Sequence, residues 1–363
     1  MENYADNIKV KLNQAIADTL ACRGSYSNDI RHFTRTRQMP METVARLMLG
    51  MSGGSLALEL HKAGIDITPS GFIQQRDKIS STCFHDILLR FNKMCESDDT
   101  ARFKDKFLLW AVDGTTIPTP RNPTSQFYVN SNPTGFCNIH ANVVHDLLNK
   151  IHVDCYIGRD EQGALYSLVY RRRYDIPTIL VLDRGYESYN TIAHLSNISP
   201  NFFFVLRVKT DSTAALKPIK ALPLETFDKD ESTFITTRQR NIDKEHGYIF
   251  LQTGSKKGKQ NSPKTRITRW DFSHINPYPL NFRVVRFPIG NSYETLVTNL
   301  DRADVSIKEL EYLYHMRWGI ETSFRFLKTC VGLAYLHSKK DDALLSELFS
   351  HLTMSNFCFR TRL

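Results

Sequence analysis

The chain has 363 residues, 41% of them hydrophobic, with 22 Phe and 15 Tyr, and its 47 Lys and Arg against 38 Asp and Glu give a net charge of +9. That composition supplies a core large enough for more than one domain and excludes disorder, and no apolar run approaches the roughly 18 residues a spanning helix needs. The opening MENYADNIKVKLNQ lacks the apolar stretch of a secretory signal, and seven scattered cysteines without a CxxC pair fit reduced thiols, so the expectation is a soluble, basic, intracellular protein with a hint of a polyanionic partner.

Residues 1–100 read as helical, because METVARLMLGMS and FHDILLRFNKMC place apolar residues three and four apart. Between them SLALELHKAG is followed by Thr68-Pro69-Ser70, which opens GFIQQRDKIS. That is the order of a helix-turn-helix with a capped second helix. Its second helix carries Gln74, Gln75, Arg76 and Lys78, which can reach base edges and phosphates. The same polar face also suits an ordinary bundle. Arg35 and Arg37 in FTRTRQ suit either a DNA backbone or a solvated loop.

From Phe107 the texture changes to strand and turn. FLLWAVDGTT reads as a strand ending in a carboxylate and a glycine turn, and Ile139–Leu148 with Ile151–Ile157 as a hairpin around Asn149-Lys150. A helix (EQGALYSLVYRRR), a buried strand ending in a second carboxylate (PTILVLDRGY), a helix (YESYNTIAHLSNI) and a strand (FFFVLRVKT) follow, a mixed α/β order. Residues 211–297 hold the strand-like pieces STFITT, YIFLQT, NFRVVRF and YETLVTNL with a basic loop at Lys256, Lys257 and Lys259. They read as a β-rich insertion, after which the helical period returns from Ser306.

Asp113 and Asp183 each close an apolar strand and are each followed by Gly within two residues. If the strands are neighbours, the carboxylates converge, and a divalent cation would relieve their repulsion. In YHMRWGIETSFRFLK, Tyr314, Arg317, Glu321 and Lys328 fall within an arc of about 60° of a continuous helix. They lie beside an apolar stripe of Leu313, Met316, Ile320, Phe324 and Leu327. A salt-bridged surface helix would account for Arg317 with Glu321, but not for Tyr314 and Lys328 on the same stripe.

DGTT at 113, LDRGY at 182–186 and Tyr-x2-Arg-x3-Glu-x6-Lys at 314–328 resemble the DDE transposases of bacterial insertion sequences, and more narrowly insertion-sequence family four with its YREK signature. FTRTRQMPMETVARLMLG and TPSGFIQQRDKIS resemble that family's N-terminal region. The resemblance covers most of the chain. It implies an α/β, RNase H-like catalytic core, a mixed sheet flanked by helices, with a β-rich insertion and an N-terminal helical DNA-binding domain. The expected segments are 1–100 (DNA-binding), 101–210 (first part of the core), 211–297 (insertion) and 298–363 (helical part bearing the third carboxylate).

It further implies that Asp113, Asp183 and Glu321 are catalytic and hold two Mg²⁺ ions, or Mn²⁺ in their place, while Tyr314, Arg317 and Lys328 hold DNA phosphates. The implied activity is cleavage at the inverted-repeat ends and strand transfer into target DNA, by a homodimer on double-stranded DNA in the bacterial cytoplasm at the nucleoid. Arg184 stands beside the second aspartate. Arg207 and Lys209 follow FFFVL, where phosphate contact and solvated edge charges are both open. Trp270, near Lys264, Arg266 and Arg269, suits either stacking on a displaced base or packing in a sheet. An RNase H-like nuclease without strand transfer, or an inactive, domesticated DNA-binding remnant, would carry much the same residues.

Overall fold

The computed structural model describes residues 2–34, 39–96, 100–130, 134–210, 216–220, 222–251 and 269–361. Six helices come first: α1 (Glu2–Leu20), α2 (Arg23–Tyr26), α3 (Met41–Gly50), α4 (Leu56–Lys62), α5 (Pro69–Arg76) and α6 (Ser81–Met94). Next are β1 (Leu108–Thr119), β2 (Tyr128–Val129), β3 (Phe136–Asp146), β4 (Ile151–Ile157), α7 (Glu161–Tyr170), β5 (Thr178–Leu182), α8 (Tyr189–Ser196) and β6 (Phe202–Val208). Then come α9 (Lys217–Lys220), β7 (Phe227–Thr236), α10 (Asn241–Glu245), β8 (Ile249–Phe250), β9 (Tyr278–Ile289) and β10 (Ser292–Thr298). Three helices close the chain: α11 (Ile307–Met316), α12 (Trp318–Thr329) and α13 (Asp341–Arg360). They make two compact units, one of Met1–Ala101, Val112–Ala164 and Trp318–Leu363, the other of Arg102–Ala111 and Leu165–Arg317.

In the first unit α13 packs on α6, α3 and β4. Phe84, Ile87, Leu88 and Phe91 form the fully buried stripe of α6, and Leu344, Leu348 and Leu352 recur every fourth residue along the buried α13. Residues 1–101 therefore share a core with the C-terminal helix, whereas the sequence pattern suggested a separate N-terminal segment. The cause is an apolar α13 whose partners lie at the other end of the chain. Locally α4 and α5 follow one another across residues 63–68. The Thr68 hydroxyl accepts from Gly71 N at 3.1 Å and Pro69 occupies the first turn of α5. The β3–β4 hairpin is antiparallel, with Val143 opposite Cys155. Its turn forms because Asp146 Oδ1 accepts from the backbone N–H groups of Leu148 and Asn149, and Lys150 takes a left-handed φ of 56°.

The second unit holds a mixed sheet in the order β1–β5–β6–β10–β9–β7–β8. The first four residues of β1 run parallel to β5, from Leu108 opposite Thr178 to Ala111 opposite Val181, and β5 runs parallel to β6. Every residue of β5 is buried, as a strand covered on both faces requires. β10 pairs antiparallel with β6 and with β9, so β9 and β10 continue this sheet. α8 and α11 pack on β6. The fold class is the mixed α/β arrangement, sheet flanked by helices, expected from the sequence.

β1 differs from expectation in one respect: it runs through Asp113 to Thr119 instead of ending there, because the β-branched Thr115, Thr116 and Ile117 keep the chain extended. The expected contact residues Arg35 and Arg37, and the basic cluster Lys256, Lys257, Lys259, Lys264 and Arg266, lie outside the described residues. No described helix is long and apolar enough to cross a membrane.

Candidate active site

β5 is apolar until Leu182, and the next residue, Asp183, leads into a 3₁₀ turn at Arg184–Tyr186 whose Tyr186 N–H bonds back to the Asp183 carbonyl at 3.1 Å. With Tyr186 buried beneath the turn, Asp183 is left half-buried at the C-terminal end of a parallel strand, where α/β sheets place ligand groups. On the neighbouring strand, Leu206 pairs with Leu182, so Arg207 is the next residue along. The Arg207 Nη1 lies 3.9 Å from Asp183 Oδ1, and its Nε lies 2.9 Å from Oε1 of Glu294 on β10.

Tyr314, on α11, completes this group. Its hydroxyl donates to Asp183 Oδ1 at 3.1 Å and accepts from Arg207 Nη1 at 3.5 Å. The guanidinium carbons of Arg207 and Arg317 lie 5.6 and 5.7 Å from the centre of its ring. Burial, and then the Asp183 charge, push the phenol up to about 12, so it serves as a neutral donor. Burial likewise raises the Glu294 carboxyl, opposed by the Arg207 charge.

The expected continuous helix through Tyr314–Lys328 is broken. α11 ends at Met316, α12 starts at Trp318, and the N–H of the intervening Arg317 bonds to the carbonyl of Tyr314, three residues back, at 3.1 Å. The single 60° arc therefore does not describe Tyr314, Arg317, Glu321 and Lys328. In α12, Ile320, Phe324 and Leu327 form the expected buried stripe, with Glu321 and Lys328 half-buried beside it. Burial lowers the Lys328 ammonium.

In the first unit, Asp113 Oδ1 accepts from the N–H of Gly114 at 2.8 Å. A Cβ at Gly114 would lie 2.9 Å from both Glu161 Oε1 and His140 Nε2, which themselves stand 3.2 Å apart. A side chain after this aspartate would therefore displace an acid and a histidine that the sequence reading did not single out. Glu294 is a third such residue. Its mixed strand, SYETLVT, offered no sign that the acid would face Arg207.

Four residues expected to contact DNA are instead buried inside the protein: Tyr314 and Arg317, each 4% exposed, together with Arg76 and Trp270. Arg76 is 3% exposed and donates to Glu347 Oε1 at 3.1 Å and to Ser338 Oγ at 3.2 Å. Trp270 is buried with its ring centre 5.3 Å from that of Tyr278 and 5.5 Å from that of Phe272. Arg184, Lys209 and Gln74 are exposed, while Gln75 and Lys78 are half-buried and joined by a 2.8 Å hydrogen bond. Among the described residues no three His, Cys, Asp or Glu side chains are grouped to hold a metal ion. Asp113, Asp183 and Glu321 nonetheless offer only hard oxygen donors, which suit Mg²⁺ or Mn²⁺.

No curated protein matches the sequence. Among solved structures the chain is similar to a piggyBac transposase in a synaptic complex with hairpin DNA, at 11% identity and a TM-score of 0.43, over 99% of this chain and 73% of that one. A family model described as "Transposase DDE domain" matches residues 106–357, which takes in β1, β5, α11, α12 and nearly all of α13. With more than half of its length so matched, the chain belongs to the DDE-domain transposase family.

Proposed function

We propose that the chain is an insertion-sequence transposase of family four that binds the inverted-repeat ends of its element, cleaves them and joins them to target DNA. The observation that carries this reading is the hydrogen bond from Tyr314 to Asp183, which links the signature helix to the second aspartate across 131 residues of sequence. The strand pairing within the second unit supports it: β1 runs parallel to β5 with Ala111 opposite Val181. The topology agrees as well, with an antiparallel β3–β4 hairpin and parallel β1, β5 and β6 as an RNase H-like core requires.

In this reading Asp113, Asp183 and Glu321 ligate divalent cations, which when bound would lower the pKa of the attacking water or 3′-OH and stabilise the leaving oxygen. Tyr314 fixes one oxygen of Asp183 and leaves the other to a ligand. Arg207, oriented by Glu294, offers its remaining N–H groups to a phosphodiester, and Lys328 offers a further cation. Two copies of the chain bridge the two ends.

The test uses full-length protein with Mg²⁺ and duplexes carrying the DNA that flanks the reading frame. Asp113→Asn, Asp183→Asn and Glu321→Gln should each abolish nicking while duplex binding persists. Wild-type nicking rates in any of them would remove that residue from the site. Pre-cleaved ends then separate the two enzyme classes, since joining to a target plasmid marks a transposase and its absence beside retained nicking marks a nuclease.

A further inference from the structure

A cavity of about 310 Å³ opens beside the C-terminal end of α5, lined by Arg31, His32, Phe33, Thr34, Gln75 and Lys78. Its size is at the lower end of the roughly 300–1,000 Å³ of ligand sites. The loop is clamped to α5, since the Asn28 N–H donates to the Lys78 carbonyl at 3.1 Å and the Asn28 side chain to the Asp77 carbonyl at 2.8 Å. Among its described lining residues there are two permanent cations and a histidine but no carboxylate. The nearby Asp29 is held by Arg31 at 2.6 Å.

Two further features point to a ligand. Phe33 has a φ of 55°, a left-handed conformation that bulky side chains rarely adopt, and Arg23 Nη1 braces it by donating to its carbonyl at 3.0 Å. His32 Nδ1 is buried and has no hydrogen-bond partner among the described residues, which a native structure seldom tolerates without a ligand or water. The ammonium of Lys78, steadied by Gln75 Oε1, lies 5.9 Å from the centre of the Phe33 ring. Cationic and aromatic groups thus face the same space.

We propose that this cavity is a phosphodiester subsite for DNA, with one backbone phosphate between Lys78, Arg31 and His32 and the adjoining sugar or base against the Phe33 ring. The proposal rests on the DNA-transposase reading and deepens it. It moves the contact made by the α5 region from a helix face laid along a groove to a notch that grips the backbone, with Arg76 turned inward.

The experiment measures binding of a fluorescein-labelled duplex of arbitrary sequence by the full chain across a KCl series. Lys78→Gln and Arg31→Gln should each lower the slope of log K against log salt by about one. Phe33→Gly, which frees the left-handed backbone, should hold or raise the melting temperature while weakening binding about tenfold. A merely structural Phe33 would give the reverse, a lower melting temperature with unchanged affinity. Wild-type slope in Lys78→Gln, or that reverse pattern in Phe33→Gly, would overturn the subsite. If nicking is still lost in Asp183→Asn, the transposase reading stands without it; a wild-type chain that binds no duplex overturns both.

Discussion

The Tyr314 hydroxyl donates to Oδ1 of Asp183 at 3.1 Å, and the same oxygen lies 3.9 Å from Arg207 Nη1. One carboxylate oxygen is thereby oriented by a neutral donor and a cation. The phenol, raised to about 12 by burial and then by Asp183, cannot ionise in the range where DNA cleavage is assayed.

Tyr314→Phe removes a hydrogen bond to a charged acceptor, worth about 1.5–3 kcal/mol at most sites, less here because Asp183 is partly exposed. A melting temperature a few degrees lower and slower nicking are expected. No alkaline limb should separate wild type from variant in the pH profile of nicking. A limb near pH 9 that vanishes in Tyr314→Phe would contradict the neutral-donor role.

Arg207 balances a buried acid. The Glu294 side chain is 7% exposed and that of Arg207 35%, so the loss in Arg207→Ala is discounted to about 1–2 kcal/mol from the value of a fully buried pair. Burial raises the Glu294 pKa, so the folded state holds its proton more tightly than the unfolded chain does. In Arg207→Ala, stability should fall as pH rises through and above the ordinary carboxylate value of 4.5. Adding Glu294→Gln should recover most of the loss in chemical denaturation at pH 7. No recovery would mean that the two side chains act independently.

Arg76 and Glu347 form a more deeply buried pair, with side chains 3% and 2% exposed and 271 positions apart in sequence. Glu347 also accepts from the backbone N–H of His337 at 2.6 Å. Arg76→Ala should destabilise the protein by about 3–5 kcal/mol, since it strands a buried carboxylate. Arg76→Met with Glu347→Met should cost much less. Urea denaturation of the three variants checks this, and a near-neutral Arg76→Ala would refute the buried-pair account.

His145 and His152 have ring centres 4.9 Å apart and are both buried. Burial depresses both pKa values, that of His145 to about 3. A depressed folded-state pKa means that the contribution is complete above the unfolded value near 6.5 and is lost as pH falls from there toward 3. Each histidine then steepens the acid side of the stability curve by up to about 1.4 kcal/mol per pH unit. His351, lowered to about 4, acts in the same sense, whereas His337, raised by its hydrogen bond to Glu347, acts in the opposite one. His145→Phe should flatten the fall in melting temperature between pH 6.5 and 4. An identical slope would mean that His145 does not titrate on unfolding.

The parts of the site legible in the sequence were those with local causes. The apolar run Thr178–Leu182 announces a buried strand, and a polar residue directly after it announces a strand end, which is where Asp183 stands. Thr68 and Pro69 announce the start of α5. Asp113 was harder, because the β-branched residues after Gly114 prolong β1 beyond the apparent turn. The break at Arg317 interrupts a stripe that helical periodicity alone would draw as continuous.

Side-chain commitments at long range were beyond periodicity. A charged residue such as Arg76 on a short polar helix looks solvent-facing until Glu347 and Ser338 are brought to it from the far end of the chain. Glu294 and Trp270 became buried for the same reason, through neighbours supplied by other strands. The amino-acid pattern by itself determined the order of helices and strands, the cap of α5 and the aspartate after β5, because backbone propensity and hydrophobic period act over a few residues. Only the tertiary structure decided which charges stay exposed and which hold the protein together. That choice depends on desolvation and on partners more than a hundred residues away.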